Sequence, residues 1–168
     1  GRLLRNHKVT KVDTLQRVVT TLNGRQFAYG KLLNTSPLDK FVKDVIKPIQ
    51  PGIVNAAKLL KHNSVAIFGI GLDMIINKKT SWMYFPESSC PFYRVTHLHN
   101  YSPHITPNSR RYSALMAEIS YSGKNSIDYN RLEESAVKGL IDAGLFPKEK
   151  ERNIVSRWRM SSEYGYPI

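Results

Sequence analysis

Short runs rich in Val, Ile, Thr, Phe, Tyr and Trp recur along the chain at residues 8–13, 17–22, 25–33, 65–72, 82–85, 93–98, 113–120 and 154–160, separated by clusters of Gly, Pro, Asn and Ser. Runs of this kind read as strands bounded by turns. The connections lack the repeated crossover helices that a parallel sheet needs, so antiparallel pairing is the economical expectation. Asn23-Gly24, between the second and third runs, signals a two-residue type I′ turn and makes residues 8–33 a β-meander.

Three segments change period. Ser36 is the expected N-cap and Pro37 the first helical residue of a short helix whose face carries Leu38, Phe41, Val42, Val45 and Ile46, ending at Pro48. Residues 53–60 read as a second helix after Pro51-Gly52. Residues 131–143 read as a third, with Leu132, Ala136 and Leu140 in one stripe, Val137 and Ile141 beside it, and Gly144 as the stop. The fold class expected is therefore α+β.

Composition bounds the function. At 168 residues and 41% apolar content the chain can bury a core without disulfides or a metal, and its one cysteine, Cys90, has no partner within it. The 25 Lys+Arg against 13 Asp+Glu give a net charge of +12, which favours an anionic partner: nucleic acid, nucleotide phosphates or an acidic membrane face. Apolar runs fall far short of the ~18 residues of a membrane span, and no secretory h-region opens the chain, so a cytoplasmic protein without a membrane partner is expected. A start at Gly1 and an end at Tyr166-Pro167-Ile168 suggest a piece of a longer protein.

Several motifs carry little chemistry. Gly69-Ile70-Gly71 opens like a dinucleotide fingerprint, but the third glycine is missing and Asn77-Lys78-Lys79-Thr80 follows as a turn, so close packing within a strand is expected. His97 and His99 alternate onto one strand face, with His104 and Cys90 near in sequence; acidic donors at ligand spacing are absent, and solvated strand histidines are expected, with no metal. Cys90 reads as an ordinary buried or half-buried thiol, and Glu133-Glu134 as a solvated helix face.

The informative stretch is Trp82-Met83-Tyr84-Phe85-Pro86-Glu87, then Cys90-Pro91-Phe92-Tyr93-Arg94 and Asn100-Tyr101-Ser102-Pro103. Trp82 and Tyr84, two apart, share a strand face, with Arg94 and Tyr101 on the next segment. Such residues suit a phosphate held by a guanidinium beside an aromatic wall. They equally suit a core with an ion-paired arginine, which composition alone favours.

These segments resemble the central part of eukaryotic-type UDP-galactopyranose mutases and their amine-oxidase-like flavoprotein relatives. Lys8-Val9-Thr10-Lys11-Val12, Lys31-Leu32-Leu33-Asn34-Thr35, Leu115-Met116-Ala117-Glu118-Ile119-Ser120 and Gly165-Tyr166-Pro167 agree in order, so the resemblance spans nearly the whole chain. It implies the β-meander of a discontinuous FAD domain at residues 1–36 and an antiparallel substrate-binding sheet with flanking helices at 37–168, without the N-terminal Rossmann motif. It further implies that the full protein interconverts UDP-galactopyranose and UDP-galactofuranose. The mechanism implied by the resemblance is that the N5 atom of reduced FAD attacks the anomeric carbon, the bond to UDP breaks, and the resulting sugar adduct opens and recloses.

By motif position, Arg94 resembles the diphosphate arginine, Tyr101 and Tyr166 the phosphate-facing tyrosines, Trp82 and Tyr84 the substrate-cleft residues, and Val9 a residue near the adenine end of FAD. No catalytic side chain is expected within these residues, because the flavin is the family's nucleophile. The second diphosphate arginine, a further tyrosine and the uridine pocket of the family have no counterpart here. The implied partners are a UDP-sugar and the remaining segments of the parent flavoprotein, and these residues alone are expected neither to retain FAD nor to turn over substrate. Two alternatives remain. One is an FAD-dependent oxidoreductase of amine-oxidase or protoporphyrinogen-oxidase type, for which a diphosphate clamp is unnecessary. The other is a basic nucleic-acid-binding module, which the absence of a recognition motif disfavours.

Overall fold

Local turn chemistry shapes the first sheet in this computed structural model, which describes residues 2–122 and 127–168. The chain divides into two compact units, one ending at Lys61 and including Ile168, the other running His62–Pro167. In the first, β1 (Val9–Asp13), β2 (Val18–Thr21) and β3 (Gln26–Ala28) form the expected antiparallel meander. The Asp13 carboxylate accepts N–H bonds from Leu15 (3.1 Å) and Gln16 (2.9 Å), which closes the β1–β2 turn. The next turn is not type I′. Of Asn23 and Gly24 only Gly24 takes a positive φ (79°), and bonds from Gly24 N–H to Thr21 C=O (2.9 Å) and from Thr21 N–H to Arg25 C=O (3.0 Å) make a three-residue loop with a glycine bulge.

The third run was expected to reach residue 33 but pairs as a strand only over Gln26–Ala28; Tyr29 N–H still reaches Arg17 C=O (3.0 Å), and there the positive φ of Arg17 (55°) ends the partner strand. The segment after Pro37 also departs from expectation. A single turn, α1 (Leu38–Lys40), runs into a π-helical turn at Phe41–Val45, and β4 (Ile46–Lys47) then pairs parallel to β1 through Val12↔Ile46 and Asp13↔Lys47. Pro37 takes the N-cap place without a side-chain bond, while the Ser36 hydroxyl donates to Asn34 Oδ1 (2.6 Å). The sheet is therefore mixed, in the order β3-β2-β1-β4. Helix α2 (Pro51–Lys58) follows, with Pro51 in its first turn.

The second unit holds β5 (Ser64–Leu72), β6 (Trp82–Tyr84), β7 (Arg94–His97), β8 (Ser113–Tyr121) and β9 (Ile154–Ser162), antiparallel throughout in the order β6-β7-β8-β5-β9. Helix α3 (Tyr129–Asp142) begins at Asp128, whose carboxylate accepts from the N–H groups of Asn130 (3.0 Å) and Arg131 (3.1 Å). It ends as expected at Gly144: Leu145 N–H reaches Leu140 C=O (2.9 Å) and Gly144 N–H reaches Ile141 C=O (2.8 Å). The α+β class holds, with one mixed and one antiparallel sheet. Among the described residues no helix is long and apolar enough to cross a membrane.

Register decides what the second sheet buries. Ala66, Phe68, Ile70 and Leu72 of β5 join Val95, Leu115, Ala117 and Ile119 in one core with Ala136, Val137 and Leu140 of α3, Phe92 and Phe146. Strand alternation sends the intervening residues to the other face. Cross-strand partners line up there as Trp82, Thr96, Met116, Gly69 and Trp158, and beside them Tyr84, Arg94, Glu118, Ile67 and Met160. Trp82, Tyr84, Trp158 and Met160 are exposed on this second face.

Candidate functional site

β6 and β7 build the center of the site. Tyr84 lies opposite Arg94, and Arg94 opposite Glu118, so three side chains that differ in chemistry occupy one row of the open face. Arg94 donates from Nε to Glu118 Oε1 (2.8 Å) and from Nη2 to both carboxylate oxygens (2.6 and 2.8 Å). The Tyr93 hydroxyl donates to Glu118 Oε2 (2.7 Å). The Glu118 side chain is 4% exposed and that of Arg94 26%, so the pair is shielded on the carboxylate side and reaches solvent on the guanidinium side.

Burial works against the charge on Arg94, but the bonds it donates to Glu118, with Tyr84 adding to them, outweigh that and raise its pKa further. The Tyr93 phenol is also pushed well above its ordinary range, first by burial and then by its bonds with Glu118 and Tyr166. Tyr166 meets Tyr93 edge to face, with ring centroids 5.9 Å apart. Asn63 holds Tyr166 in place by accepting its N–H on Oδ1 (2.6 Å) and donating its own N–H to Tyr166 C=O (2.9 Å).

Trp82, in the adjoining row, stacks against Tyr101 at 6.5 Å and 30°. Tyr101 follows a 3-10 turn at Leu98–Asn100 that Asn100 ties down, its side-chain amide donating to the carbonyls of Lys78 (2.7 Å) and Thr80 (2.9 Å). Trp82, Tyr84, Tyr101 and Tyr166 are all exposed, and none is core. Both readings of this stretch thus describe part of it: Arg94 is ion-paired, as a structural arginine would be, and the aromatic residues are presented to solvent, as a binding wall would be. Sequence reading missed Glu118 and Asn63 as supports, although an acidic residue between the apolar positions of residues 115–119 was a signal for the first.

Val9 belongs to the other unit and lines a cleft of about 700 Å³ with Leu32, Leu33, Phe41 and Val45. Gly71 sits within β5, where an added Cβ would meet Ser156 Oγ; the glycine pair packs a strand and opens no loop, as expected. The histidines differ from expectation. His97 is fully buried, because it lies opposite Leu115 on the core face of an interior strand, and His99 lies in the 3-10 turn and is half-buried. His97 Nδ1 bonds Thr80 C=O (2.9 Å), its Nε2 has no partner, and burial pushes its pKa down. Among the described residues no three His, Cys, Asp or Glu side chains gather as a metal site. Cys90 is half-buried against the core, as expected. Glu133 is not simply solvated: it is 16% exposed and accepts from Arg157 Nη1 (3.1 Å).

No family model matches the chain. Among solved structures, it is similar to a reduced UDP-galactopyranose mutase at 28% identity and a TM-score of 0.76, over 96% of this chain and 34% of the other. It also resembles a Pyrococcus furiosus protein at 8% identity and a TM-score of 0.67, over 96% and 38% of the two chains. A provisionally assigned protoporphyrinogen oxidase from Exiguobacterium matches at 12% identity and a TM-score of 0.51, over 89% and 32%. The last two likenesses concern the fold alone. The chain spans about a third of the length of each of these proteins.

Proposed function

We propose that the open face of the antiparallel sheet is part of the diphosphate and sugar cleft of a UDP-galactopyranose mutase-like flavoenzyme that the remaining segments of a longer protein complete. One observation carries the reading. The side chains marked by the resemblance, Trp82, Tyr84 and Arg94, share one uncovered sheet face, Tyr101 stacks on Trp82, and Tyr166 adjoins the Arg94–Glu118–Tyr93 network. Similarity to a UDP-galactopyranose mutase over 96% of this chain supports it.

In that setting Arg94 and the tyrosine hydroxyls would receive the diphosphate, whose charge grows as its bond to the sugar breaks. Donors already oriented toward that charge favour the transition state over the ground state. Trp82 and Tyr84 would line the cleft beside the sugar and exclude water. Reduced FAD, when bound, would supply the electron pair that displaces UDP. The Val9 cleft is apolar and large enough for an adenine ring, so this chain could hold that end of FAD. The pyrophosphate wants a glycine loop opening a helix, and Gly69-Ile70-Gly71 is inside a strand.

The test is titration of UDP and UMP into the 168-residue chain, followed by tryptophan fluorescence. UDP should bind better than UMP, and Arg94→Ala should weaken UDP by about 1.5–3 kcal/mol, the range for a hydrogen bond to a charged group. Equal affinity for UDP and UMP, or no effect of Arg94→Ala, would instead favour the FAD-dependent oxidoreductase reading. The Arg94–Glu118 ion pair gives that second reading its support, since a structural arginine needs no anionic ligand.

A further inference from the structure

We infer that Glu118 is a positioning residue: it fixes the direction in which Arg94 presents its guanidinium to an anion. This rests on the diphosphate reading above. The carboxylate takes the Nε and Nη2 side of the guanidinium through bonds of 2.6 to 2.8 Å, so Nη1 is the donor end turned away from it. The two residues are directly opposite on β7 and β8, which sets their separation through the backbone and not through a flexible loop. Glu118 is itself held. It is buried, and Tyr93 bonds its Oε2 while donating its backbone N–H to Glu118 C=O (3.0 Å). The Tyr93 ring in turn meets the Tyr166 ring edge to face. One buried carboxylate thereby links the arginine to a tyrosine of the same cleft. A guanidinium tethered on one side has less freedom to lose when an anion arrives.

The inference has a sign that separates it from simple electrostatics. Glu118 neutralises Arg94, so if charge alone governed binding, its removal would strengthen affinity for an anion. A positioning role predicts the reverse. Glu118→Gln keeps the size and removes the charge, and it should weaken binding of UDP and of inorganic pyrophosphate to the 168-residue chain by about tenfold, roughly the loss of one oriented charged hydrogen bond. Nitrogen-15 NMR of Arg94 gives a readout that needs no ligand. In the unsubstituted protein the Nε–H should be protected and the Nη signals distinct, because rotation is hindered; in Glu118→Gln they should coalesce.

Unchanged or tighter binding by Glu118→Gln overturns the inference, as does free rotation of Arg94 in the unsubstituted protein. If that protein binds neither UDP nor pyrophosphate, the diphosphate reading fails, and the NMR comparison alone decides whether Glu118 holds Arg94. Should Glu118→Gln fail to fold, Tyr93→Phe removes one support and leaves the ion pair intact. It should weaken binding about threefold, less than a full hydrogen bond's worth, and unchanged affinity counts against the inference.

Discussion

Replacing Arg94 by Met removes the guanidinium while keeping most of its stem, and leaves the Glu118 carboxylate, 4% exposed, without its cation. Breaking a buried pair by removing one partner costs about 3–5 kcal/mol. Two features put this site near the lower end: Arg94 is 26% exposed, so water can reach the gap, and the Tyr93 hydroxyl still donates to Oε2 at 2.7 Å. A cost of about 3 kcal/mol at an m-value of about 2 kcal/mol/M lowers the urea midpoint by roughly 1.5 M, which far-UV circular dichroism resolves. Adding Glu118→Leu should recover most of the loss, because an apolar pair of similar volume replaces the orphaned charge. A deficit under about 1 kcal/mol, or no recovery in the double variant, would refute the view that this pair is a shielded, mutually dependent unit.

Leu140 of α3 is 1% exposed in the core, and Leu140→Ala should cost about 2–5 kcal/mol in the same urea assay. Gly71→Ala brings a methyl against the hydroxyl of Ser156, which is exposed and can rotate away while its Cβ stays at 3.6 Å, so the cost should stay below about 1 kcal/mol. His97 is buried with a lowered pKa, so below its unfolded value of about 6.5 the unfolded chain binds a proton that the folded chain refuses. Stability should fall as pH drops from about 6.5, and His97→Asn should flatten that slope in urea titrations from pH 7 to 5. The purified 168-residue chain should be colourless and inactive on UDP-galactose; a yellow protein with a flavin spectrum refutes the proposed division of the FAD site.

The strands of the second sheet were legible because each is long or flanked by strong turn residues, and because antiparallel order needs no crossover. β4 was not. Two residues leave no period to detect, and Ile46 fits the helical stripe of Leu38, Phe41, Val42 and Val45 until Val12 claims it as a strand partner. The type I′ expectation failed on a similar point: Asn-Gly permits two positive φ angles, whereas the bulge at Gly24 uses only one. His97 misled for a different reason. Alternation says which residues share a face, but whether that face is buried depends on the neighbours, and here Leu115 and the α3 core lie on the same side.

The candidate site joins these two kinds of legibility. Its exposed members, Trp82, Tyr84 and Tyr101, stand out in sequence because clustered aromatics outside an apolar pattern are unusual. Its supports, Glu118 and Asn63, come from segments 24 residues after Arg94 and 103 before Tyr166, and only pairing brings them in. The supports alter the electrostatics. Arg94 with Glu118 is a neutral unit, and at short range it binds through oriented N–H groups more than through net attraction. On the proposed reading, a doubly charged diphosphate therefore needs a second, unneutralised cation in the cleft. On that reading the second arginine that the resemblance implies, expected outside these residues, would have that role. A cleft that splits orientation and charge between two arginines would bind UDP weakly through these residues alone, and would gain affinity steeply, and with marked salt dependence, once the second cation was in place.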